Sequence, residues 1–434
     1  MKVAVVGGGY AGMAAAMTLA EAGVPVTVFE AARELGGRAR RVVVNGVSLD
    51  NGLHILIGAY EQTLRLVQKL HADPAHALER LPLDWRVHER FRLKAAPLPA
   101  PLNLAWGLLT ARGAPLRERI AALQFVHRMR SRRFALARDV PVRELLAAHG
   151  QGAALVRYFW EPLCLAALNT PPAIASAQVF LNVLRDGLDS GRSASDLMLA
   201  RIDLSALVPE PVGAFVEARG GNVLTGRTVD TVTPESDQIV VATRESAERF
   251  SHAIVAVSPH RAAALISSVP ALRETVSLLE GFRYQPIYSI YLQFAAAVPL
   301  PAPMLGLAGT GHWLFDRDAI CGQRGLLAVV ISGEGPHQDM TQDALAAEVH
   351  RELEREIGPL PALSWQRVIA EKRATFECSV GLERPGTQTA LPGLHLAGDY
   401  TQSEYPATIE AAVRSGIAAA KQVLAKMKRA SPHL

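Results

Sequence analysis

The stretch VAVVGGGYAGMAAAMTLAEAGVPVTVFE, residues 3–30, decides the fold. It opens with Val3 to Val6, a β-branched run of the kind found in a parallel strand buried on both faces. Gly7, Gly9 and Gly12 follow in the spacing G-x-G-x-x-G, and Met13 to Ala22 reads as a helix. The three glycines serve different ends. Gly7 makes the tight turn, Gly9 lets the backbone approach a pyrophosphate, and Gly12 lets helix and strand pack closely. The start of the helix offers unpaired N–H groups and partial positive charge to the phosphates. Val26 to Phe29 is the second strand, and Glu30 stands at its end, where a carboxylate can accept hydrogen bonds from ribose hydroxyls. Strand, helix, strand and terminal acid in this order predict a dinucleotide-binding unit. The acid at position 30 does not by itself separate FAD from NAD.

Around this unit lie 434 residues, 49% of them hydrophobic, enough for a large core and for two or three domains rather than one. No low-complexity tract or fixed repeat interrupts them, so disorder and solenoid architectures are not expected. Lys2 and the apolar run after it could pass for a secretory signal, but glycines break the run and a second strand follows directly. No apolar stretch reaches the roughly eighteen residues that a membrane span needs. Cys164, Cys321 and Cys378 are odd in number and form no C-x-x-C pair, which predicts free thiols, a cytoplasmic setting and no metal site.

Beyond Glu30, Gly36-Gly37-Arg38 reads as a second glycine loop bringing an arginine to the pyrophosphate, although taken alone an ordinary surface turn explains it more readily. Residues 220–235 read as a turn and strand, 251–259 as a buried strand, and Leu394 to Ala397 as another. Pro406 sits where a final helix would start, and Ala407 to Met427 continue it. GGGYAGMAAAMTLAEAGVPVTVFEA followed by ELGGRAR resembles the opening of the FAD-dependent amine oxidase and carotenoid desaturase superfamily. DNGLHILIGAYEQTLRL, residues 50–66, is similar to the glycine-histidine segment of plant-type phytoene and zeta-carotene desaturases, and AGD at 397–399 carries the resemblance to the end of the chain. WEPLCLAALNTP, residues 160–171, is similar to a narrower group, the squalene-associated FAD-dependent desaturases, or hydroxysqualene dehydroxylases, of bacterial hopanoid biosynthesis.

That resemblance implies FAD as cofactor and an α/β fold: a Rossmann-like, glutathione-reductase-type FAD-binding domain with an inserted, mixed α+β substrate domain. The expected boundaries are FAD-binding segments at 1–85, 205–265 and 366–434, a helical, membrane-facing substrate segment at 86–204 and a substrate sheet at 266–365. It implies that Gly7, Gly9, Gly12, Glu30, Gly37, Arg38 and His54 line the cofactor, and that Val229 meets the adenine through its backbone. Gly398 and Asp399 would take the ribityl and pyrophosphate side. The backbone of Ala407, Thr408 and Ile409 would point a helix N-terminus at the pyrimidine ring, where the dipole favours the negative charge of a reduced flavin. No second complete G-x-G-x-x-G loop is evident, so a dedicated NAD(P)H site is not expected.

Residues 86–143 hold thirteen Lys/Arg against three Asp/Glu, a local charge of +10 in a chain whose net charge is +4. Interleaved with Leu98, Leu102, Leu104, Trp106, Leu108, Leu109 and a helical run from Leu116 to Leu136, this pattern suits the surface of an anionic membrane, from which an enzyme on its inner face could collect a lipid. A solvated basic helix pair is the bland alternative, and no recognition motif supports a nucleic-acid partner. FWEPLCLAALNTPPAIASAQVF, residues 159–180, is consistent with a greasy tunnel or with ordinary core.

The activity the resemblance implies is reductive loss of the hydroxyl of hydroxysqualene, giving squalene, with hydride from N5 of reduced FAD. Hydroxide is a poor leaving group, so a general acid is needed, and His54, Glu161 and Glu404 are the candidates. A structural histidine, a helix-end acid and a solvated loop residue are the respective alternatives. Upstream squalene-synthase-like enzymes are the expected partners; rival functions are a carotenoid desaturase or amine oxidase in which FAD accepts the hydride, and a non-catalytic flavoprotein that carries a lipid within a squalene-making assembly.

Overall fold

In the computed structural model, which describes residues 2–309 and 312–430, strand Val3–Val6 is the central member of a five-stranded sheet. Its neighbours are Val26–Phe29 and His252–Val255, with Asn222–Leu224 and Leu394–Leu396 at the two edges, and every pairing is parallel. The two opening strands are buried along their whole length, without alternation, because both faces of the sheet are covered. Three stretches far apart in the sequence thus build one sheet, as the Rossmann-like expectation requires.

Helix Tyr10–Glu21 begins three residues earlier than the apolar pattern alone predicts, with Gly9 as its extended N-cap residue. Its alanine-rich surface packs against the closing helix, Ile409–Ala430. The approach is close: a Cβ on Gly416 would fall 2.0 Å from the Ala11 carbonyl oxygen. Small side chains on both helices are therefore a packing requirement.

A seven-stranded sheet forms the second layer, in the order Leu363–Phe376, Tyr284–Phe294, Leu326–Ser332, Trp313–Asp316, Met304–Gly306, Asp84–Val87 and Phe91–Lys94. Phe91–Lys94 falls inside 86–204, the segment expected to be helical, and Asp84–Val87 straddles its start. Period-2 burial wins there: Trp85, Val87, Phe91 and Leu93 point inward. Asp84 accepts from Arg86 and Arg92 at 2.6 and 2.8 Å; against the burial that would raise it, the Arg92 and Arg86 guanidiniums hold its carboxyl at about 2. The boundary expected at 85/86 lies inside Asp84–Val87, that at 265/266 at the end of helix Pro259–Ile266, and that at 365/366 inside Leu363–Phe376.

The helical segment runs through Leu102–Leu109, Leu116–Ser131, Val142–Ala148, Glu161–Leu168 and Ala177–Asp189. Of the two readings of 159–180, core is the observed one: Trp160, Cys164, Leu168, Ala175 and Phe180 are buried in the largest apolar cluster. Asn169 ends helix Glu161–Leu168 in the left-handed conformation, at φ 45°. Its side-chain N–H donates to Thr375 Oγ1 at 2.9 Å, which ties the helical segment to the long strand of the second sheet.

Candidate active site

Two glycine loops lie side by side at the mouth of the parallel sheet. Gly7 takes φ +115°, and a Cβ there would meet the Ala256 carbonyl oxygen at 2.5 Å; a Cβ on Gly12 would sit 1.9 Å from the Gly7 carbonyl oxygen. Both glycines are thus demanded by the protein's own packing. Gly9 differs, because a Cβ there would meet only Gly37 Cα, at 3.8 Å, and the Gly36 oxygen, at 3.9 Å. The space it leaves opens toward the second loop, which the Gly36 N–H pins by donating to the Gly8 carbonyl at 2.9 Å. No side chain caps the helix start at Gly9, so its first N–H groups remain available to phosphate oxygens.

Glu30 stands at the end of its strand as the sequence predicts, its carboxylate accepting from Gly8 N–H at 2.7 Å and Ala32 N–H at 2.8 Å. The Glu30 carbonyl accepts from Arg227 N–H at 2.8 Å, bringing Val229 to the same end of the sheet. Arg38 is no surface arginine. Its guanidinium donates to Asp399 Oδ1 at 2.7 Å and to the Ala374 carbonyl at 2.6 Å, linking second loop, long strand and AGD turn. Gly398 is fixed through its N–H to Ser415 Oγ at 2.8 Å.

His54 joins this group. Its Nδ1 meets the Gly52 carbonyl at 2.8 Å, and Arg38 and Asp399 both act on it electrostatically. Burial first, and the Arg38 charge with it, lowers the imidazole below its ordinary value, so the ring is neutral near pH 7. With Nδ1–H donating to the Gly52 carbonyl, the neutral ring presents Nε2 as an acceptor. Asp50, which opens the same segment, is anchored by Leu204 N–H at 2.9 Å, and burial pushes its carboxyl up to about 6.

The closing helix starts at Ile409, three residues later than the expected start at Pro406, which lies outside it. The Thr408 hydroxyl accepts from Ala411 N–H at 3.1 Å, so a capping threonine, rather than a proline in the first turn, sets the boundary. Ala407 and Thr408 are half-buried at this N-terminus and Ile409 is buried. The two other acid candidates are Glu404 and Glu161. Glu404 is 68% exposed and engaged by Arg185 at 2.9 Å, and Glu161 is half-buried at the start of its helix beside Cys164.

Glu410 carries too weak a sequence signal to stand out before the fold is known. It is fully buried and accepts from Gln62 N–H, Thr63 N–H, Thr63 Oγ1–H and Arg414 Nε–H at 3.1, 2.9, 2.7 and 2.6 Å. Its one mark in the sequence is an acid in the first turn of a helix. Tyr400 carries no such mark, and its hydroxyl is buried without a protein partner beside Arg38 and Asp399. An unsatisfied buried hydroxyl beside an ion pair, with two glycine loops leaving room for phosphates, is what a large polar cofactor would complete. The residues present fit FAD.

A family model described as flavin containing amine oxidoreductase matches residues 10–424. The chain belongs to that family. This flavin containing amine oxidoreductase is 30% identical to a hydroxysqualene dehydroxylase of Rhodopseudomonas palustris, over 98% of each chain, which puts it in the hydroxysqualene dehydroxylase family. It is 24% identical to a zeta-carotene desaturase of Synechocystis sp., over 99% of this chain and 98% of the other. Cyclohexylamine oxidase from Brevibacterium oxydans shares its fold, with a TM-score of 0.71 over 98% of this chain and 99% of that one at 16% identity. The protein is an FAD-dependent oxidoreductase.

Proposed function

We propose that this protein reductively removes the hydroxyl of hydroxysqualene to give squalene. The likeness to the Rhodopseudomonas palustris enzyme along the whole of both chains supports that reading most directly. When bound, reduced FAD supplies the hydride, so a carbon–oxygen bond breaks, a carbon–hydrogen bond forms, and the oxygen needs one proton to leave as water. The chain's own residues hold and insulate. Gly9 and Gly37 leave room for the pyrophosphate, Arg38 and Asp399 fix its flavin side, and the capped helix start at Thr408 directs N–H groups toward negative charge. Neutral His54 offers Nε2 as an acceptor beside that pair.

An anaerobic single turnover tests the reading: photoreduce the holoenzyme, add hydroxysqualene, follow the oxidised-flavin absorbance and extract the lipid. Flavin reoxidation with one equivalent of squalene is expected. A flavin that stays reduced in protein shown to bind the lipid would refute it. The 24% identity to zeta-carotene desaturase carries a second reading, in which oxidised enzyme dehydrogenates a polyene, and product analysis separates the two. Stable binding without any redox change would leave the lipid carrier.

Substrate supply fits a peripheral position on an anionic bilayer, and we include it in the proposal. Nine large apolar side chains are exposed among the described residues, and five of them, Leu98, Leu102, Trp106, Leu116 and Ile120, sit on one helical hairpin and its approach. Arg112 and Arg117 are exposed beside them. The nearest acid, Glu118, is buried and accepts from Ala154 N–H and Leu155 N–H, so it does not offset them at the surface. No helix among the described residues is long and apolar enough to cross a membrane, and an interfacial tryptophan with flanking arginines suits attachment instead. On vesicles containing phosphatidylglycerol, the L102S/W106S variant should lose about tenfold in binding, and R112A/R117A should lose the preference over phosphatidylcholine vesicles. Unchanged binding would refute this face as the attachment site; loss of a concentration-dependent dimer in L102S/W106S would assign it to self-association.

A further inference from the structure

One cavity brings together the glycine-histidine segment, the helical segment and the start of the closing helix. It measures about 30 Å³ and is walled by Ile57, Ala59, Ala167, Val183 and Pro406. Three polar side chains break this apolar lining, Tyr60, Asp186 and Tyr405, with Thr408 at the edge. Such a volume holds one water or one hydroxyl group, but no isoprenoid chain. The larger cavity, about 360 Å³, is lined by Gln388, Gln402, Arg414 and Gln422 among others and suits no hydrocarbon.

Asp186 is 14% exposed in its side chain, and its Oδ1 accepts from Arg185 Nε at 3.0 Å. The Tyr405 hydroxyl lies within reach of the same carboxylate, and the Tyr60 hydroxyl within reach of the Thr408 hydroxyl. Burial first, then Glu410 around Tyr60 and Asp186 around Tyr405, raises both phenols well above their usual range. Both therefore keep their O–H at neutral pH and can act as donors, while the carboxylate is an acceptor. An alcohol is the group that needs one of each.

We propose that Tyr60, Asp186 and Tyr405 form the subsite that takes the hydroxyl of an isoprenoid alcohol, its O–H donating to Asp186 and its oxygen accepting from a tyrosine. This deepens the dehydroxylase reading and rests on it. A hydrocarbon of the same shape offers this site neither a donor nor an acceptor, so product binds more weakly than substrate. Thr408 is shared by the cavity and the helix start expected at the flavin, which brings the hydroxyl-bearing carbon to the cofactor side.

Oxidised holoenzyme allows the test without turnover. Hydroxysqualene and squalene are each titrated against the flavin absorbance of the wild type, Asp186→Asn and Tyr405→Phe, all compared as FAD-loaded protein so that misfolded material is excluded. The wild type should hold the alcohol at least about tenfold more tightly than the hydrocarbon, and either variant should bring the ratio to within about twofold. A ratio unchanged in both variants overturns the subsite. A wild type without the preference that still converts hydroxysqualene overturns the subsite and leaves the dehydroxylase reading standing. Failure of the wild type to convert hydroxysqualene in the single turnover removes both.

Discussion

Replacing Gly12 with alanine should abolish the fold, whereas the same change at Gly9 should spare the fold and abolish the cofactor. At Gly12 the added Cβ would lie 1.9 Å from the Gly7 carbonyl oxygen and 3.2 Å from Val5 Cγ1. The first neighbour is backbone in the central strand-to-helix turn and cannot move without displacing that strand, so a cost on the order of 4 kcal/mol or more is expected. At Gly9 the Cβ would make ordinary contacts at 3.8 and 3.9 Å, and the backbone there is extended, which alanine adopts freely. Apo Gly9→Ala should unfold in urea at or slightly above the wild-type midpoint, since alanine restricts the unfolded chain. Its affinity for FAD should fall by about 100-fold, roughly 2.7 kcal/mol, because the methyl occupies the space between the two glycine loops. FAD content after reconstitution, measured beside the urea midpoint, separates the two effects. Full FAD binding by Gly9→Ala would mean that the pyrophosphate does not pass between the loops.

Glu410→Ala should be the most damaging substitution outside the glycine loops. The carboxylate caps the start of helix Glu61–Leu70 and pairs with Arg414, and removing it leaves the Thr63 N–H and hydroxyl buried without an acceptor. Arg414 keeps 36% side-chain exposure and can turn to water, so most of the loss falls on the capped N–H groups and on Thr63. About 3 kcal/mol is expected for Glu410→Ala, against about 1 kcal/mol for Glu410→Gln, which still presents an acceptor. Equilibrium urea unfolding gives both numbers, and a midpoint for Glu410→Ala within error of wild type would sink the capping argument. Weakened FAD binding should accompany the larger loss, because Glu410 follows directly on Thr408 and Ile409 at the cofactor end of the helix.

The parts of the site legible in advance are those whose chemistry is encoded in local spacing. The glycine positions, Glu30 and the Val26–Phe29 strand follow from a pattern less than thirty residues long, and the structure keeps each in its expected element. Elsewhere local signals competed and the weaker-looking one won. The charges of Arg86, Arg90 and Arg92 hid a strand pair whose period-2 burial is plain once Trp85, Val87, Phe91 and Leu93 share a face. Pro406 attracted the helix start that Thr408 in fact sets. Glu404, an acid near the flavin helix in sequence, faces solvent and Arg185.

Sequence by itself determined the class of fold and the dinucleotide-binding unit, because a turn, a strand period or a helix cap is decided by residues within a few positions of one another, while the family came from the resemblance of longer motifs. Only the tertiary structure decided who meets whom across the chain: Arg38 with Asp399, 361 positions on, Glu410 with Thr63, and Asp186 with Tyr60 and Tyr405 around one small cavity. Those partners are chosen by the burial of polar groups, which must find donors and acceptors wherever the sheets and helices bring them. Nothing in the local pattern of either partner records that choice.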